Sequence, residues 1–134
     1  MRGMSFWFFF TGTMYVTVGM IWGIVMSASG DHSLAPAHAH LNLIGWVTMA
    51  LFGVYYHLVP RAGEHWLARV HFATATAGVL TMVPGIVIVL QQSDDTLAKV
   101  GSVLTLASML VFIANMLRSR LGPVPAAAAT RPAE

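Results

Sequence analysis

The chain has no cysteine and very little charge. The first absence excludes disulfide frameworks, thiolate metal sites and covalent haem attachment through Cys-x-x-Cys-His. The second decides the class. Charged residues occupy 9% of the 134 positions and hydrophobic ones 57%, whereas a soluble domain spends about a quarter of its residues on charge. An integral membrane protein is predicted. Asp, Glu, Lys and Arg are missing between Arg2 and Asp31, between His40 and Arg61, between His71 and Asp94, and between Lys99 and Arg118. Each interval is long enough for a spanning helix of roughly 20 residues. Four spans are predicted, over 4–29, 39–59, 66–90 and 100–117, within one domain over 1–120.

Other absences narrow the function. Asp31 and Glu64 fall in different loops, so no carboxylate pair is placed for acid-base work, and no serine lies in a nucleophile-elbow or triad motif. No basic run points to nucleic acid. Nothing in the sequence demands an enzyme. The stretch 121–134, rich in Pro and Ala and without apolar periodicity, reads as a disordered tail.

The first span begins with Met1-Arg2 and ends in Ser27-Ala28-Ser29-Gly30, like a secretory signal. A signal's apolar region runs only about 7–15 residues, so this span is read as a retained helix. Arg2, Arg61, Arg69, Arg118, Arg120 and Arg131 flank alternate ends of the spans, while the other two loops hold Asp31, Asp94, Asp95 and a single Lys. The positive-inside bias then puts both termini in the cytoplasm. Short loops predict an all-α, four-helix, up-down membrane bundle. Gly19 and Gly23, Gly45 and Gly53, Ala75, Gly78 and Gly85, and Gly101, Thr105 and Ser108 form small-residue stripes for helix contact. Pro84 should kink the third span, with Thr81 available to a freed backbone group.

What the chain does contain is histidine, six in all. Ionisable side chains at membrane depth are costly and mark candidate functional groups. Pro36-Ala-His38-Ala-His40-Leu-Asn42 places two of them at the mouth of an apolar stretch that contains Trp46. On a continuous helix His38 and His40 point about 200° apart and cannot chelate one ion together. If the helix starts only near His40, Pro36 and its alanines could hold His38 in an extended turn, where both rings reach a site with Asp31 or His32. Asn42 is then a partner hydrogen bond, and Trp46 a donor or a wall for a ring. His71 lies deep in the third span and requires a partner, for which Tyr55 and Tyr56 are the candidates. A rise of 1.5 Å per residue separates His40 from His71 by on the order of 25 Å, so they cannot share one metal in a protomer. His57 and His65 read as interfacial and solvated, and Met49 and Met82 as packing.

PAHAHLNLIGW, then ALFGVYYHLVP, then LARVHF resembles the second and third helices of the haem-copper oxidase catalytic subunit, especially the branch shared with bacterial nitric-oxide reductases. The matching positions are His40, Asn42, Gly45, Phe52, Tyr55, Tyr56 and Pro60. The chain also resembles small four-helix membrane proteins called cytochrome oxidase subunit I-like, over roughly 6–118. The resemblance implies that His40 is an axial ligand of a b-type haem in a bacterial-type inner membrane. It carries no copper-ligating histidines and no later helices, so complete oxidase activity is not expected of this chain. The implied function is haem binding for electron transfer, gas sensing or haem handling, with a respiratory-chain redox partner. His40, His38, Asn42, Trp46 and His71 are the candidate cofactor residues. Four helices enclose too little volume for a macrocycle, so a homo-oligomer is expected. Two alternatives stand beside it: a copper or zinc site of Asp31, His32, His38 and His40, and a purely structural accessory bundle.

Overall fold

The computed structural model describes residues 1–121. The tail expected over 121–134 lies outside the described residues, apart from Leu121 at the end of the last helix. Among the described residues the architecture is all-helical. Four helices are long and apolar enough to cross a membrane: α1 (Met4–Ser29), α2 (Ala35–Leu58), α4 (Trp66–Gln92) and α5 (Thr96–Leu121). The short α3 (Pro60–Gly63) links α2 to α4.

The spans agree with the apolar intervals: α1 coincides with the predicted 4–29, α2 begins earlier than 39 and ends at Leu58, α4 ends beyond 90, and α5 extends past 100–117 at both ends. Backbone hydrogen bonding, and not hydropathy, sets where a helix stops. Pro36 sits in the first turn of α2, where its missing N–H costs nothing and its fixed φ suits a helix. The helix therefore starts at Ala35 and not at 39. The extended turn considered for His38 does not form. At the other end of α4, Ser93 takes a left-handed φ of 61° and closes the helix beyond Gln92. The segment Leu41–Thr48 of α2 is π-helical, and Thr48 Oγ1 donates to the carbonyl of Leu43 five residues back, at 2.9 Å.

Small residues set how the helices meet. Going down α1, Gly23 faces His38, Gly19 faces Asn42 and Gly12 faces Trp46 and Met49, while Gly53 faces the backbone of Ser5 and Phe9. The two helices thus run in opposite directions with close backbones. A Cβ on Gly53 would lie 3.0 Å from the Phe9 nitrogen and from the Ser5 carbonyl. Gly78 meets Thr105 and Gly101 meets Met82 in the same manner between α4 and α5. Thr81 donates to the carbonyls of Ala77 and Gly78, a turn before Pro84.

The core has two parts. One gathers Phe8, Met49, Phe52, Tyr56, Ala62, Ala68 and Ala75; the other joins Leu41 with Val79 and Val83. Between them they lock α2 to α4. The outer faces stay apolar and exposed, Ile24 at 67%, Leu43 at 60% and Val103 at 66% among them. Such helices, hydrophobic all round, suit a lipid surround. Arg2, His57, Arg69 and Tyr55 with Ser119 mark one end of the bundle. Asp31 and Asp94 lie in the loops at the other.

Candidate functional site

At the Asp31 end, the two histidines of α2 go separate ways. His38 is half-buried and points into the notch left by Gly23, where a Cβ would lie 3.2 Å from its Cε1. Trp22 meets its ring edge-on at 6.1 Å. Asn42, one turn on, presses on Gly19, and its Nδ2 lies 2.9 Å from the His38 carbonyl and 3.1 Å from His38 Nε2. An open groove of about 430 Å³, lined by Met20, Gly23, Ile24, Ser27, His38 and Asn42, runs alongside.

His40 is exposed and faces away from the helix pair. Its Nδ1 lies 2.8 Å from the carbonyl of Pro36. A carbonyl can only accept, so Nδ1 carries the proton and Nε2 presents a lone pair outward. Trp46 is half-buried against α1, edge-on to Phe9 at 5.8 Å. His32 and Asp31 are exposed in the preceding loop. The Ser33 backbone N–H donates to Asp31 Oδ1 at 2.9 Å, and this bond together with the Ser33 hydroxyl holds the Asp31 carboxyl below the usual carboxylate range. His32 Nδ1 lies 3.0 Å from the Gly30 carbonyl. Each polar group here satisfies its own turn. Among the described residues no three His, Asp or Glu side chains converge as a metal site, so Asp31, His32, His38 and His40 are not brought together.

Toward the arginine end a second polar cluster is fully enclosed. His71 is 0% exposed, ringed by Phe52 at 4.3 Å, Phe8 at 4.8 Å and Phe112 at 5.2 Å between centroids. Its Nδ1 lies 2.9 Å from the Tyr56 hydroxyl. Asn115, also 0% exposed, places Nδ2 3.0 Å from the Ala62 carbonyl and 3.3 Å from the Tyr56 oxygen. An amide nitrogen only donates, so Tyr56 accepts from Asn115 and gives its own proton to His71. That fixes a neutral His71 with the hydrogen on Nε2. Nε2 and Asn115 Oδ1 have no hydrogen-bond partner.

The tyrosine partner of His71 is among those the sequence offered. Asn115 was absent from the sequence-based set, although an amide inside an apolar stretch is itself a signal of interhelical hydrogen bonding. The Gly19 and Gly23 stripe was legible as a helix contact, and its role as the seat of Asn42 and His38 was not. His40 and His71 lie at opposite ends of the bundle and form no joint site.

No protein-family profile, curated protein or solved structure matches this chain.

Proposed function

We propose that the protein is a membrane haem-binding protein that uses His40 as an axial ligand to b-type haem. The observation that supports this is the His40 ring itself. Its Nδ1 is tied to the Pro36 carbonyl at 2.8 Å, the arrangement that orients a histidine for ligation through Nε2. His38 is less suited, because its ring is packed on Gly23 and shares the Asn42 amide. Pro36 acts twice in this reading. It starts the helix early, and its carbonyl then receives the His40 proton.

The residues present fit the iron of the group from one side only. His40 faces outward, at the head of an exposed apolar stripe of Leu43, Val47, Leu51 and Val54. Haem held by His40 would be bounded on this side by the stripe, and a second copy, another helix or a diatomic ligand would fill the remaining position on the iron. Bound there, the group would supply one-electron chemistry, or gas binding if one axial position stays open. The stripe would contribute apolar contact and exclude water there. The bundle is read as up-down in a bacterial-type inner membrane, with both termini cytoplasmic. The arginines at one end and the acidic loops at the other support that orientation.

The test is an absorption spectrum on protein made with haem supplied during expression. A Soret band is expected, lost in His40→Ala and retained in His38→Ala. His40 is exposed, so thermal unfolding of His40→Ala should match wild type and separate lost ligation from lost folding. A colourless wild type, or a Soret band unchanged in His40→Ala, overturns the proposal. One copper or zinc per chain without haem would overturn it in favour of a metal site.

A further inference from the structure

A cavity of about 740 Å³ opens at the arginine end, within the size range of small-molecule sites. Arg2, Trp7, Tyr56, His57, Glu64 and Arg69 contribute to its lining. Two guanidinium groups share the lining with one carboxylate, so the lining is net positive. Among the described residues the one ion pair joins Lys99 to Asp95 at 2.7 Å, at the far end of the molecule. Arg2, Arg69 and Glu64 are thus not neutralised by each other.

Trp7, in the cavity lining, begins an exposed apolar face of α1. Phe6 is 45% exposed, Trp7 51%, Phe10 43% and Met14 45%. Phe6 stacks on Phe10 at 5.6 Å, and Trp7 meets Phe10 edge-on at 6.3 Å. This aromatic face runs from the cavity rim into the span. A charged basin at the end of a spanning helix, beside an exposed apolar face of that helix, matches an amphipathic ligand. A soluble anion would use the basin and leave the apolar face idle.

We infer that this cavity binds the phosphodiester headgroup of an anionic glycerophospholipid, with an acyl chain laid along Phe6, Trp7 and Phe10. A negative phosphodiester complements the net positive lining, and Glu64 is placed to accept from headgroup hydroxyls. Basic pockets between spanning helices recognise lipid headgroups in this manner. The inference does not depend on haem binding, since the cavity lies at the end away from His40.

Native mass spectrometry of the full chain in neutral detergent tests it, with phosphatidylglycerol, phosphatidylethanolamine and phosphatidylcholine at equal concentration. One phosphatidylglycerol per chain is expected to be retained preferentially. Each juxtamembrane arginine contributes about fivefold to anionic-lipid affinity, so Arg2→Gln and Arg69→Gln should each weaken that adduct by about that factor. Arg69→Lys should keep most of the binding. Arg120→Gln, at the same end but outside the lining, should leave it unchanged. Arg2 precedes the first helical turn, so Arg2→Gln remains informative if Arg69→Gln folds poorly. Equal retention of the three lipids, preference for phosphatidylethanolamine, an equal loss in Arg120→Gln, or displacement by equimolar inorganic phosphate would each overturn the inference.

Discussion

Tyr56 holds the buried polar cluster together by working in both directions at once. Its hydroxyl donates to His71 Nδ1 at 2.9 Å and accepts from Asn115 at 3.3 Å, joining α2, α4 and α5 in one network. Replacing Tyr56 by Phe keeps the ring among its aromatic neighbours and removes both bonds, leaving a buried imidazole nitrogen unpaired. Interhelical hydrogen bonds in membranes average about 0.6 kcal/mol and orphaned buried groups cost about 1–3. Tyr56→Phe should therefore destabilise by about 1–2 kcal/mol in detergent unfolding. Combined with Asn115→Leu the loss should be smaller than the two single losses added, because they share one interaction. Strict additivity would show that the network carries no coupling. The sequence made half of this legible. His71 at depth had to have a partner, and Tyr55 and Tyr56 were near. Asn115 is 59 residues from Tyr56, and which face of α5 it occupies depends on how that helix rotates against α4, which apolar composition leaves open. The same holds for the outer pair. Helical spacing separated His38 from His40, but only the Gly23 notch decides that His38 is the one turned inward.

Helix ends and helix type show what hydropathy can and cannot carry. The four spans follow from the apolar intervals, since nothing else crosses lipid with its backbone satisfied. The π-helical segment Leu41–Thr48 leaves no comparable mark, because α and π turns are equally apolar. It packs closely on α1, with Gly45 against Tyr15. Caps are better resolved by structure. His65 begins α4, its Nδ1 accepting from the Leu67 N–H at 3.3 Å. Desolvation, and then the charge of Arg118, lower its pKa below the ordinary value. A histidine whose folded pKa is depressed leaves stability intact above its unfolded value of about 6.5 and reduces it as pH falls through that value toward the folded one. Protonation also puts a hydrogen on Nδ1 and abolishes the cap. Wild type should lose thermal stability as pH falls below about 6.5, while His65→Asn, which keeps an acceptor at the cap without titrating, should lose less. Melting curves that shift equally with pH in both proteins would remove His65 as the cause.

At the scale of the whole molecule, charge is the one property that distinguishes the two ends of an otherwise uniformly apolar bundle. Arg2, Arg61, Arg69, Arg118 and Arg120 flank the spans at one end, and Asp31, Asp94 and Asp95 occupy the loops at the other. Positive residues in short loops resist translocation, whereas acidic ones contribute little to orientation. The bias is therefore set by these arginines, with Arg131 further along the sequence, against Lys99 alone, and Lys99 is already paired with Asp95. Both termini should stay in the cytoplasm and the His40 end should face outward. A fluorescent-protein fusion after Glu134 should fluoresce, and alkaline phosphatase at the same point should be inactive. Phosphatase inserted after Gly30 or Ser93 should be active. Neutralising Arg61 and Arg69 together should weaken the bias most, because these two alone anchor the loop between the central spans, and mixed reporter activity is expected there first. The reverse reporter pattern in wild type would put the arginine cavity in the outer leaflet and His40 at the cytoplasmic face, which reverses the side on which the proposed haem ligand lies.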